Sequence, residues 1–420
     1  MKREAGDFRD RMPKPVRRVP LAENPSRRRV IGTVLALVIA AGAFFAFFQG
    51  VMRKDPGWQE IKSEGKYASQ FTLLYNLGQT DDSPSAEMRK LQRIYTLALD
   101  QAGQALDASE AAEEPRNLAW LNTHPNVETE ISSQLYASLE SILSAGRWLY
   151  LGPLYEMNES MLASQTDAEA AEMDPRLSEE AASFVSALLP CLSSNDHIQL
   201  KMLENNQVVL FVSADYLQLG KEYGISRWID FGWMRNAFAA DSIADILLNA
   251  GASRGILTAE MQTPVAGSSF GNQFIRALCE NDGIRLSLKG RFSEKSDFQE
   301  SGRSSASVET VIEAVCRESA ALISLNAKTS GRSYRNGELR TPWVSTSDGL
   351  DSACVEALLA ASRAEGCAPL LLHILPILTG NEKEPAGSLG DDTLWLSVDH
   401  ELMKWGNTDI LEYHLASGQE

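Results

Sequence analysis

Two residues, Asp230 and Gly232, stand where a ligand's polar atoms could approach the backbone. They lie in Ile229-Asp-Phe-Gly-Trp-Met-Arg-Asn236, which leads directly into Ala237 to Gly251. The pattern predicts a short strand ending in an acid, a tight turn, and an amphipathic helix. Ile243, Ile246 and Leu247 fall on one face of that helix, and Gly251 follows as a left-handed cap. Asp241 and Asp245 are one helical turn apart, which allows paired-carboxylate chemistry or a solvated helix face. Asp351 opens the predicted helix from Asp351 to Arg363, where an aspartate serves as an N-cap. The five cysteines are scattered, with no Cys-x-x-Cys pair and no histidine at ligand spacing, which argues against a zinc site. No serine sits in a nucleophile-elbow context, and no glycine-rich phosphate loop is present. His373 lies within the apolar run Pro369 to Leu378 and reads as a core histidine.

The elements that must position these residues change character along the chain. Phe71 to Tyr75 reads as a strand, and Ser85 to Ala108 as a helix carrying Met88, Leu91, Ile94 and Leu97. Ser85 is its predicted N-cap, with Pro84 before it. From Asp107 to Ala181 the composition predicts several helices, among them Ser132 to Ala145, and another helix opens near Asp174-Pro175. Beyond residue 207 strands enter: Gln207 to Ser213, Gly283 to Gly290, Ala320 to Leu325 and Trp343 to Thr346. Leu394 to Trp405 reads as a terminal hairpin. Helices first, then strands mixed with helices, predict an α+β fold in one large mixed domain over 67–420.

Charge divides the chain. Residues 1–29 carry ten bases against four acids, a net of +6, so residues 30–420 carry −23 of the overall −17. A body this acidic excludes nucleic acid as a partner, because nothing offsets the phosphates. Val30 to Phe48 runs nineteen residues without charge or proline, the length of a membrane-spanning helix. Arg27-Arg28-Arg29 before it predicts an uncleaved signal anchor with a cytoplasmic N-terminus. The alternative is a cleaved signal peptide, but 1–29 is long for one and no small-residue cleavage site follows Phe48. The expected organisation is a basic cytoplasmic tail (1–29), a single-pass anchor (30–48), a polar linker (49–66) and an extracytoplasmic body.

The segment from Asp230 to Asp241 resembles the signature of the FAD:protein FMN transferase family, Asp-Leu-Gly-Gly-Ile-Ala-Lys-Gly-Tyr-Ala-Val-Asp. Asp230, Gly232, Ala239 and Asp241 match it, while Asn236 replaces its lysine and Ala237 its second-turn glycine. Four more stretches resemble family motifs in the same order: Arg116 to Asn122, Gly146 to Leu154, Asn326 to Gly331 and Leu350 to Leu358. The family reaction moves FMN from FAD onto a threonine hydroxyl of a partner flavoprotein and releases AMP. The resemblance implies Mg2+, with Asp351 as a metal ligand, and Asp230, Gly232, Asn236 and Trp148 at the flavin nucleotide. Trp148 and Trp233 are suited either to stack on an isoalloxazine ring or to fill a core. Asp230 is suited either to a contact with FAD or to accepting backbone donors in its own turn.

The departures from the family pattern fall on its chemistry. Val355 stands at the metal-site threonine, Asn236 at the lysine and Ile323 at the histidine, and Thr258-Ala-Glu-Met261 occupies the place of a glycine pair. No residue is assigned a catalytic role. Two functions follow: a membrane-anchored transferase, or a non-catalytic descendant that binds a flavin nucleotide or a partner flavoprotein at the membrane.

Overall fold

Alternating burial builds the main sheet. In Phe71–Asn76, Phe71, Leu73 and Tyr75 are buried, and in Arg254–Glu260 the same period hides Leu257 and Ala259. The computed structural model describes residues 57–78, 83–261, 272–279, 286–294, 308–316, 321–352, 354–362, 365–380, 393–398, 401–405 and 410–415. Eight strands form the sheet: β1 (Trp58–Ile61), β2 (Phe71–Asn76), β3 (Arg254–Glu260), β4 (Gln273–Cys279), β5 (Ala321–Asn326), β6 (Ala357–Ser362), β7 (Thr393–Val398) and β8 (Glu401–Trp405). Their spatial order is their order in the chain, and every pairing from β2 onward is antiparallel. Two three-stranded sheets lie outside it, one of Glu128–Glu130, Gln207–Val212 and Ile198–Met202, the other of Leu286–Glu294, Val308–Cys316 and Ile410–Leu415.

The helices pack where small and branched residues let them approach. In α1 (Pro84–Ala105), Pro84 occupies the first turn, where its missing N–H costs nothing, and Leu91, Tyr95, Ala98, Leu99 and Ala102 form the buried stripe. Helix α2 (Gly152–Ala163) follows a single 3-10 turn, Trp148–Leu151. Helix α3 (Arg235–Asn249) buries Ala237, Ala240, Ile243, Ala244 and Leu247, and Gly251 beyond it has a φ of +82°. Helix α4 (Cys367–Leu378) is apolar almost throughout. The described residues form a mixed α+β domain.

Asp241 joins three of these elements. Helix α4 begins after Gly366, which has no side chain to cap it. Asp241 on α3 does so instead, accepting from Cys367 N (2.8 Å) and Ala368 N (2.8 Å). The Arg276 guanidinium on β4 lies 3.0 Å from the same carboxylate. A Cβ at position 366 would lie 2.3 Å from an Asp241 oxygen, so glycine is required by close approach. Asp241 therefore serves the scaffold, not a carboxylate pair with Asp245.

Several sequence expectations are corrected. Asp351 to Arg363 is not a helix: Ala357–Ser362 is a strand buried at all six positions, so its Ala/Leu composition reflects two covered faces. Trp343 to Thr346 forms only an isolated bridge, Val344 with Asp351. Residues 229–231 are irregular, and the helix expected near Asp174-Pro175 begins at Glu179. Ser83, not Ser85, is the N-cap of α1, and β1 falls within the stretch expected to be a linker. His373 faces outward on α4, its side chain 57% exposed and 3.8 Å from Glu365. No helix among the described residues is long and apolar enough to cross a membrane, and residues 30–48 lie outside them.

Removing one Asp241 charge leaves α4 under-capped and Arg276 without its close carboxylate. Asp241→Asn is expected to cost about 2–4 kcal/mol, because breaking a buried charge pair leaves its partner uncompensated. Urea unfolding of the variant beside wild type measures it; an unchanged midpoint would contradict the bridging role.

Candidate functional site

Three of the stretches that resemble the family motifs meet around residues 227–236. The Asn122 amide holds Ile229 as a neighbouring strand would, donating to Ile229 O (2.9 Å) and accepting from Ile229 N (2.9 Å). Asp230 N donates to Leu149 O at 2.9 Å. Gly152 lets Arg227 pass: a Cβ there would lie 2.5 Å from Arg227 O.

Asp230 is fully engaged within the protein. Its Oδ1 accepts from Gly232 N at 3.0 Å, closing the turn, and its Oδ2 lies 3.5 Å from Arg227 Nη1. The same Arg227 nitrogen is 3.0 Å from Glu159 on α2. Burial pushes both carboxyls above their ordinary range, and the Asp230 charge raises Glu159 further, while Arg227 opposes the shift. Gly232 has a φ of +52°, but its open side is not solvent: a Cβ there would sit 2.8 Å from the Tyr155 ring. Asn236 is buried and donates to Gln70 Oε1 (3.1 Å) and Glu260 O (2.6 Å). Trp148 is buried in its 3-10 turn, and Trp233 is buried 6.5 Å, centre to centre, from the fully buried Trp343.

Asp351 occupies a second polar cluster. Arg176 forks onto this one residue, Nη1 to the Oδ1 carboxylate oxygen and Nη2 to the main-chain carbonyl. Thr341 N donates to the other carboxylate oxygen at 2.9 Å. The turn that delivers Arg176 is itself fixed, since Arg176 N donates to Asp174 Oδ1 (2.9 Å). Arg340 Nε donates to Asp174 Oδ2 (2.7 Å), so consecutive residues Arg340 and Thr341 serve the two acids. Burial raises the Asp351 carboxyl, against the pull of Arg176 and the Thr341 amide. The cavity beside it, lined by Leu154, Met157, Asn158, Met161, Val344 and Asp351, holds about 10 Å3, room for one water.

The two acids are each tied to α2, at adjacent positions. Glu159 reaches Asp230 through Arg227, and Asn158 Nδ2 donates to Thr341 O (2.9 Å) beside Asp351. Val355 and Ile323 are buried apolar side chains. Arg176, Arg227, Glu159 and Thr341 carry no local sequence signal, because each acts through a partner distant in the chain or in an irregular loop. Among the described residues no group of three acids, histidines or cysteines could hold a metal ion. With Arg176 on one Asp351 carboxylate oxygen and the main-chain carbonyl, and Thr341 N on the other carboxylate oxygen, Mg2+ does not fit while the arginine is in place. Asp230, Gly232 and Asn236 make their recorded polar contacts inside the fold, and Trp148 is buried.

The strand order, helical layer and site stretches together define a flavin-transferase-like fold, divergent from the solved examples. The ApbE protein of Thermotoga maritima shares it with a TM-score of 0.50 and 11% identity, over 83% of this chain and 97% of that one. The flavin transferase ApbE from Vibrio cholerae gives 0.47 at 11% identity, over 83% of this chain and 97% of that one. The Pseudomonas stutzeri flavinyl transferase ApbE gives 0.44 at 11% identity, over 80% and 90%. No protein-family model matches the chain, and no curated protein sequence matches it.

The carboxyl pair at Arg227, with Asp230 buried and Glu159 partly exposed, has a pH signature. Groups whose carboxyls are raised in the folded state contribute stability that is full below the unfolded value, about 4, and lost as pH rises through the folded value. Glu159→Gln removes one such group, so its unfolding free energy should decline less steeply with rising pH than that of wild type. Denaturant unfolding across the mildly acidic range tests this, and an unaltered slope would show that Glu159 does not titrate there.

Proposed function

We propose that this chain is a non-catalytic descendant of the flavin-transferase fold that works by binding a partner flavoprotein at a membrane. Residues 30–48 would anchor it, with the acidic body outside the cytoplasm. One observation carries this reading: the Asp351 carboxylate, where the family resemblance implies Mg2+, is filled by Arg176 and the Thr341 amide. Phosphoryl-group transfer from a pyrophosphate needs a cation that bridges the phosphate oxygens and donors for the charge in flight. Arg176 cannot do both, because its fork is spent on Asp351. The engagement of Asp230, Gly232 and Asn236 inside the fold supports a protein partner over a flavin nucleotide as the ligand.

Incubating the full chain with FAD and Mg2+ and measuring AMP by chromatography decides the matter. The expected result is no AMP above a protein-free control, and no flavin colour or fluorescence retained by the purified protein. Magnesium-dependent AMP release would restore the transferase reading. Tightly retained flavin without AMP would instead make the nucleotide the ligand.

A further inference from the structure

Asp351 offers oxygen donors only: one carboxylate oxygen and its own carbonyl, turned toward a common point. Such a set suits a hard cation, and magnesium in particular takes a few protein oxygens and fills its shell with water. The cation found at that point belongs to the chain itself. Arg176 places one guanidinium nitrogen on each of the two oxygens, and the planar fork matches them geometrically. Its side chain is 35% exposed while that of Asp351 is 6% exposed, so the arginine is the partner nearer to solvent. The approach is not incidental. Asp174, fully buried, holds the Arg176 amide through one carboxylate oxygen and Arg340 through the other.

We propose that Arg176 is a resident cation, taking the position at Asp351 that a divalent ion would fill and making this loop cluster independent of metal. The Asp174–Arg340 pair is the positioning element, since it fixes the turn from which Arg176 reaches across. Arg176 neutralises the buried carboxylate and ties the turn at 174–178 to the irregular segment 341–352. A mobile ion would give the same neutralisation but would leave with chelation. Removing the guanidinium should therefore expose the oxygen set and make the cluster responsive to magnesium. This deepens the reading of the same site given above, but stability is measured without flavin, so either can fail alone.

The test is thermal unfolding of the full chain in EDTA and in millimolar MgCl2 at matched ionic strength. Wild type should show the same midpoint in both. Arg176→Ala should fall by at least about 3 °C in EDTA and recover much of that with magnesium, by mass action on the folded state. Adding Asp351→Asn to Arg176→Ala should abolish the recovery. Magnesium stabilisation of wild type that Asp351→Asn removes would overturn the proposal, as would an Arg176→Ala chain indifferent to magnesium. Should Arg176→Ala fail to fold, Arg176→Gln gives the same reading: folding helped by magnesium supports a resident cation, and no help from magnesium overturns it.

Discussion

A carboxylate taken out of water must find donors, and the placement of Asp241 shows how this fold meets that demand. Its two oxygens accept the opening amides of α4 while Arg276 on β4 stands beside them. One side chain thus fixes the helical layer to the sheet and sets where the last apolar helix begins. An isolated helix start would leave its amides to water; here they balance a charge that would be costly alone. The position of α4 over β5 and β6 follows from that cap.

The same demand governs the two acids that mark the site. Asp230 is satisfied by its own turn and Arg227, and Asp351 by Arg176 and Thr341. In each case the donors come from inside the protein, so the negative charge is not left for a ligand to balance. Helix α2 ties both arrangements together through Asn158 and Glu159. The architecture is shared with the flavin transferases of similar fold, and a shared architecture does not by itself carry a shared activity.

Much of the scaffold was legible in the sequence, and the reasons are local. Phe71 to Tyr75 and Gln207 to Val212 alternate with period two because one face of each is covered. The helix expected over Ser132 to Ala145 forms as Ser133–Ser144, with Ser132 before it accepting from Leu135 N. Ala357 to Ser362 misled because a strand covered on both faces loses its alternation, leaving Ala and Leu to suggest a helix. At the site, Asp230 and Asp351 could be named, but what holds them could not. Arg176 and Asp351 are 175 positions apart, and their pairing depends on a turn set by Asp174 and an irregular loop at 341–352. No periodicity encodes such a contact. The outward turn of His373 from an apolar helix belongs to the same class, since hydropathy alone does not reveal which side is covered.

The sheet's strand order bears on how the molecule assembles. β2 is hydrogen-bonded to β3, yet residues 77–253 come between them in the chain. Joining those edges while the intervening segment is a loose coil would carry a large closure entropy, and contacts of such sequence separation form slowly. Local structure formed within that segment, its helices and its own small sheet, would shorten the effective loop, so the strand order favours assembly in which the intervening residues condense before β2 closes onto β3.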